Sequence, residues 1–193
     1  MSEKTITTQE LTNQPLSVEP AKPTDAETIF NVHRLTWLAT YPNEEAGITE
    51  EDIRVKVEGQ NGELIPQKIE RWRKGIENKN SERGIFVVRS ESSIIGFVAP
   101  TVRYGQRRVG AIYVLPEMQG KGVGGKLLDK AIEWHGRDDD IFVHVASYNQ
   151  NAIDFYKRNG FKQTDKKVTD EAAQLGNGKE IPEIEMVLRA DSR

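Results

Sequence analysis

One stretch constrains the fold more than any other: Gln119 to Leu128, which reads QGKGVGGKLL. A Val- and Ile-rich run, RVGAIYVLP, leads into it. After it, Val123, Leu127, Leu128, Ala131 and Ile132 recur at helical spacing and mark a helix packed by one face. Strand, glycine turn and helix N-terminus in that order leave the free N–H groups of the first helical turn pointing at an anion. Three phosphate-binding spacings overlap there. Gly120, Gly122 and Gly125 fit G-x-G-x-x-G, while Gly120, Gly125 and Lys126 fit the start of a P-loop. Gln119, Gly122 and Gly124 fit a third, Q-x-x-G-x-G.

The neighbouring residues discriminate among them. A P-loop needs Ser or Thr after its lysine to ligate Mg²⁺, and Leu127 stands in that place. The next strand also ends in Ala146-Ser147 where a metal-binding Asp is expected. A dinucleotide site wants an acid at the end of that strand, but Asp138, Asp139 and Asp140 lie before it, and hairpin-linked strands replace the expected βαβ start. The third spacing, used to hold the pyrophosphate of coenzyme A, meets its physical requirements. Lys121 and Lys126 add charge for an adenosine 3′-phosphate, or are solvated surface lysines; either reading stands.

The rest of the chain fits a single domain. Its 193 residues hold one full core. The net charge of −3 gives no general attraction to nucleic acid. No run approaches the roughly 18 to 20 apolar residues that span a bilayer, and no signal peptide is evident. These features predict a cytoplasmic protein without a membrane or nucleic-acid partner, acting as a monomer or homodimer. Zero cysteines exclude thiolate nucleophiles and cysteine-ligated metals, and three histidines make a multi-histidine metal site improbable, so no metal is expected.

Residues 1–15 are polar without apolar periodicity and are expected to form a disordered tail, with the domain running from 16 to 193. LSVEPA predicts a short strand. Thr24 and Glu27 form a capping box ahead of a helix with the stripe Ile29, Val32, Leu35, ending near Tyr41. A short helix is expected after Thr49. A longer one follows Pro66, with Ile65, Ile69, Trp72 and Ile76 on one face, which makes Trp72 a core residue. GIFVVRS, SIIGFVAPTV and RVGAIYVLP, separated by polar turns at Glu91-Ser92-Ser93 and Tyr104 to Arg107, predict an antiparallel meander. IFVHVAS is a further buried strand and Asn151 to Asn159 a further helix, stopped by Gly160. Two last strands, Phe161 to Val168 and Ile181 to Arg189, close the chain.

On these residues the chain resembles the GNAT superfamily of acetyl-CoA-dependent N-acetyltransferases. AIYVLPEMQGKGVGGKLLDKA is similar to its coenzyme-binding motif, and NQNAIDFYKRNGF to its N-x-x-A-x-x-F-Y-x-x-x-G-F motif. The resemblance covers roughly Leu16 to Arg189 in element order, and from Thr36 to Asn80 no motif is assigned. It implies an α/β (α+β) fold, a mixed and mostly antiparallel sheet of about seven strands flanked by helices and splayed between the fourth and fifth. It also implies acetyl-CoA as co-substrate. Ile112, Tyr113 and Val114 would pair their backbone with the pantetheine arm, and Gln119, Gly120, Lys121, Gly122, Val123, Gly124 and Gly125 would hold the pyrophosphate. Asn149, with Ala152 and Phe155 beside it, would complete the coenzyme site.

The resemblance further implies that Tyr156 protonates the departing thiolate, a role its phenol suits because its pKa of about 10 matches an alkyl thiol. For the base, neither IYV nor HVAS offers a carboxylate. His144 stands five before Asn149, where the branch acting on ribosomal-protein N-termini carries a glutamate, and an imidazole can do this work near neutral pH. Strand alternation puts His144 on one face with Phe142 and Ala146, opposite Val143 and Val145. His33 and His135 read as structural or solvated. For the acceptor, Trp37, Tyr41, Glu44 and Glu45 are candidates, since aromatics with carboxylates suit a cationic amine. The expected reaction is direct acetyl transfer to a small or peptide amine, with backbone N–H groups near Val114 stabilising the oxyanion. A catalytically silent CoA-binding sensor is the alternative.

Overall fold

In the computed structural model, residues 16–78, 82–90, 93–168 and 173–190 are described; the expected tail and the Glu91-Ser92 turn lie outside them. The chain runs β1 (Val18–Pro20), α1 (Ala26–Thr40), α2 (Glu50–Glu58), α3 (Ile65–Glu77), β2 (Phe86–Ser90), β3 (Ser93–Arg103), β4 (Gln106–Val114), α4 (Val123–His135), β5 (Ile141–Ala146), α5 (Gln150–Arg158), β6 (Lys162–Lys167) and β7 (Glu183–Leu188). These strands form one seven-stranded sheet in the order β1-β2-β3-β4-β5-β7-β6. Every pairing is antiparallel except β4 with β5. The fold expected from the resemblance is the one found.

Both sheet faces are covered, which is why the central strands are apolar almost throughout. On one face α4 buries Val123, Leu127, Leu128 and Ala131 against Val98, Val109, Ile141 and Val143. On the other, α1 and α3 bury Ile29, Val32 and Ile76 against Val87 and Phe97. Trp72 packs on Phe97 with ring centroids 5.1 Å apart, the core role expected of it. A smaller cluster joins Trp37, Ile53 and Val57 to Ala146 and Ile181.

Local details correct the sequence reading in two places. The start of α1 is fastened by Asp25, whose carboxylate accepts the Lys22 backbone N–H at 2.7 Å, while Thr24 lies within a 3-10 turn over Pro23–Asp25. Asp25 is buried and pairs with the Arg89 guanidinium at 2.6 Å, so one side chain fixes both the helix entry and the sheet beneath it. Along α1 the buried face runs Ile29, Val32, Thr36, Trp37, and Leu35 is exposed. Two turns of 3.6 residues carry Ile29 onto Thr36, not Leu35. Thr49 caps α2 as expected, accepting Asp52 N–H at 3.1 Å.

Candidate active site

A bulge opens the sheet. Between the Ala99–Ala111 and Thr101–Arg108 pairs, β3 contributes Pro100 alone and β4 contributes Val109 and Gly110. Gly110 has φ +71°, and a Cβ there would lie 1.9 Å from the Ala99 carbonyl oxygen, so only glycine fits. Pro100, which has no N–H to give the ladder, sits where none is needed. The extra residue bends β4, and its parallel pairing with β5 is confined to Arg107–Ile141 and Arg108–Phe142. Beyond that the strands part.

Ladder phase determines which groups face the gap. Leu115 N–H donates to the Ile95 carbonyl at 3.0 Å, so residues alternating with Leu115 bond to β3. Tyr113 therefore spends its backbone on Phe97, while Ile112 and Val114 turn theirs toward β5. Of the three residues expected to present backbone to the gap, Tyr113 is the exception, and its phenol meets Trp37 and Tyr41 instead.

The glycine turn lies at the open end of the gap. The Gln119 amide donates to the Val114 carbonyl at 3.1 Å, tying the turn to the strand. Gly122, the N-cap of α4, is left-handed at φ +80°. A Cβ at Gly120, Gly122 or Gly125 would meet nothing within 4 Å, so the turn presents bare backbone to open space. Gly124 instead packs near the Phe155 ring, 3.5 Å from where its Cβ would be. The Val123 side chain is buried in the core, which leaves only its amide for a ligand. Lys121 approaches the Met118 sulfur at 3.9 Å. Asn149 caps α5 by accepting Ala152 N–H at 3.1 Å, so its oxygen serves the helix.

Tyr156 is buried between Phe155 and Phe161, with ring centroids 5.1 and 5.3 Å away. Its hydroxyl has no hydrogen-bond partner among the described residues. Burial first, and the nearby Tyr113 phenol second, hold its pKa well above the ordinary phenol value, so it stays protonated.

His144 faces away from α4, as alternation requires, and lies between two carboxylates. Its Nδ1 is 3.8 Å from Glu183 Oε2 and its Nε2 3.5 Å from Glu185 Oε2. Glu185 is directly opposite His144 across the β5–β7 ladder and also accepts the Thr164 hydroxyl at 3.1 Å. The sequence reading sought a carboxylate only on the fourth and fifth strands and missed both. The available signal was EIEMVL itself, where acids at 183 and 185 alternate with Ile184 and Met186 and so share one face of an otherwise apolar strand.

A cavity of about 280 Å³ opens beside this group, lined among others by His33, Trp37, Tyr41, Tyr113, His144 and Glu183. The Trp37 indole N–H donates to the Tyr113 hydroxyl at 2.8 Å, and the Tyr41 hydroxyl lies 3.3 Å from it. The Tyr148 hydroxyl donates to the Tyr41 carbonyl at 2.8 Å, and burial together with Glu183 pushes its own pKa up to about 12. Glu44 and Glu45, expected beside Trp37 and Tyr41, are exposed in the turn closed by the Asn43–Ile48 bridge and do not line the cavity. His33, read as structural or solvated, belongs to the cavity wall, its ring 5.0 Å from Trp37 and 5.2 Å from Tyr113. Burial first, then Lys68 and Arg71, lower its pKa to about 3, so it is neutral. His135 is buried, with Nε2 2.7 Å from the Arg108 carbonyl.

A gap in a sheet, a bare-backbone turn at a helix N-terminus and a buried phenol make up the candidate site. The model of the acetyltransferase (GNAT) family matches residues 49–161, and the chain belongs to that family. An uncharacterized N-acetyltransferase of Methanocaldococcus jannaschii is 34% identical over 106 residues, 50% of this chain and 47% of that protein. An N-alpha-acetyltransferase of Sulfurisphaera tokodaii is 26% identical over 100 residues, 44% of this chain and 60% of that protein. The chain thus spans about half the length of the curated relatives it matches. The PaiA N-acetyltransferase of Thermoplasma acidophilum, solved with coenzyme A, shares the fold with a TM-score of 0.69 at 22% identity, over 91% of this chain and 99% of that one. No helix among the described residues is long and apolar enough to cross a membrane.

Proposed function

We propose that the protein transfers an acetyl group from acetyl-CoA to a primary amine by direct attack within a ternary complex. The observation that carries this reading is the break between β4 and β5 beside the bare glycine turn. Coenzyme A fits the residues there: an amide-bearing arm suits the outward backbone of Ile112 and Val114, and a diphosphate suits the amides opening α4. When bound, it supplies an activated acyl carbon.

The chain's own groups supply the rest. The Val114 N–H is turned toward the gap, where charge would build on the acetyl oxygen. His144, flanked by Glu183 and Glu185, takes the proton from the attacking amine. Tyr156, kept protonated and without a hydrogen-bond partner for its hydroxyl among the described residues, donates its proton to the departing sulfur. The amine thus gains the acyl bond as the carbon–sulfur bond breaks, and each proton has a named destination. The aromatic wall of Trp37, Tyr41 and Tyr113 excludes water around the acceptor.

Mixing the protein with acetyl-CoA and a panel of amines while following free thiol tests the reading. Turnover is expected, and Tyr156→Phe should lower kcat about 100-fold with little change in the KM for acetyl-CoA. Thermal stabilisation by coenzyme A without thiol release for any amine would identify a sensor instead. An unchanged kcat in the phenylalanine variant would remove Tyr156 from the mechanism.

A further inference from the structure

The aromatic wall of the cavity holds more hydrogen-bond donors than it can use. An indole nitrogen only donates, so in the 2.8 Å contact with Trp37 the Tyr113 oxygen is the acceptor and its own proton lies elsewhere. Among the described residues, the one further contact of the Tyr113 hydroxyl, and the one contact of the Tyr41 hydroxyl, is the 3.3 Å approach between the two. One contact consumes one proton. The two phenols bring two, so one hydroxyl proton of the pair has no acceptor among the described residues.

Bond lengths select which proton it is. The Trp37 bond is of ordinary length and fixes the Tyr113 oxygen, while 3.3 Å is longer than the usual O–H···O range of about 2.5 to 3.0 Å, so Tyr113 loses little by donating elsewhere. With Trp37 and Tyr41 both donating into its oxygen, its lone pairs are filled and its proton is directed away from both. The ring itself is held, its centroid 5.2 Å from His33 and 5.6 Å from Phe97. Tyr113 also stands between Ile112 and Val114, whose backbones face the gap, and it lines the cavity with His144. Burial raises its pKa above the ordinary phenol value despite the two donors at its oxygen, so the proton stays in place. A held, directed donor is costly to leave unmatched when a ligand expels water. An oxygen on that ligand restores the bond. A hydrocarbon offers nothing to it, and a second ammonium group brings only more donors.

We infer that Tyr113 sets acceptor specificity, its hydroxyl donating to an oxygen that the acceptor carries close to the reacting amine, so that oxygen-bearing amines are preferred to alkylamines and polyamines. This inference rests on the reading of the cavity as the acceptor site of acetyl transfer. The test compares glycinamide with isobutylamine, which keeps the branched shape and replaces the amide by methyl groups, using the full chain, acetyl-CoA and thiol release. Wild-type kcat/KM should favour glycinamide by at least about tenfold, and Tyr113→Phe, which keeps the ring against Phe97, should reduce that ratio about tenfold. Comparing the ratio between variants cancels the difference in amine basicity. Trp37→Phe leaves the donor but releases its oxygen, and should reduce the ratio about threefold; it carries the test if Tyr113→Phe does not fold. A wild-type ratio near one, a ratio that neither variant changes, or a loss in Tyr41→Phe instead, overturns the inference. If no amine releases thiol, acetyl transfer falls, and calorimetric titration of the protein saturated with coenzyme A decides the role of Tyr113. Tighter binding of glycinamide that disappears in Tyr113→Phe keeps that role, and binding without preference, or none, overturns it.

Discussion

The two sides of the β4–β5 gap are built from different materials. On the proposed coenzyme side, β4 and the turn before α4 offer main-chain groups, exposed by Gly110, Gly122 and the phase of one ladder. On the proposed acceptor side, α1, β5 and β7 offer side chains: Trp37 from one helix and Tyr41 from its C-cap, His144 from one strand, Glu183 from another about forty residues away by sequence count. A main-chain site is specified by a short local motif, because conformation and the absence of side chains suffice. A side-chain site depends on tertiary placement, and its residues can be exchanged without altering the frame.

That contrast has consequences that can be broken by substitution. The largest effect is expected at Gly110, where Gly110→Ala sets a Cβ against a carbonyl oxygen in a left-handed backbone. Stability should fall by roughly 3 kcal/mol in urea unfolding, with loss of stabilisation by coenzyme A. A variant with wild-type stability would mean that the bulge does not depend on glycine. On the other side, Glu183→Gln should leave the frame intact. An unchanged melting temperature, an unchanged KM for acetyl-CoA and a kcat lowered about 100-fold are expected, and wild-type turnover would exclude Glu183 from proton transfer.

The effect that is smallest at neutral pH concerns His33. Its pKa of about 3 in the folded protein lies below the unfolded value near 6.5, so below that value the unfolded chain binds more protons and stability falls as pH decreases. The loss begins near pH 6.5 and approaches on the order of 1 kcal/mol per pH unit until about pH 3. His33→Phe should flatten that acid limb between pH 6 and about 4 in denaturant titrations. An identical slope in both proteins would show that His33 titrates freely.

Legibility in the sequence follows the same division. QGKGVGGKLL and NQNAIDFYKRNGF are contiguous, and they located the gap, the turn and Tyr156. Phase was harder: the alternation that turns Tyr113 inward and Ile112 outward is set by a hydrogen bond between Leu115 and Ile95, which no spacing within one strand reveals. Glu183 and Glu185 were missed because β7 inserts between β5 and β6, a crossover that local pattern does not encode. Trp37 and Tyr41, which line the cavity, were chosen by residue type, and the same criterion selected Glu44 and Glu45, which a turn carries into solvent.

An interrupted ladder normally invites aggregation, because an unsatisfied strand margin templates the strands of other molecules. Here the margin created by Gly110 is internal to the sheet, with α4 packed over one side of β4 and α1 over the other. A second polypeptide strand, with side chains projecting both ways, would have to displace those helices. A thin, unbranched chain would not. The same helices that bury the core therefore act as a steric filter, admitting slender visitors to a hydrogen-bonding edge that would otherwise be hazardous to solubility.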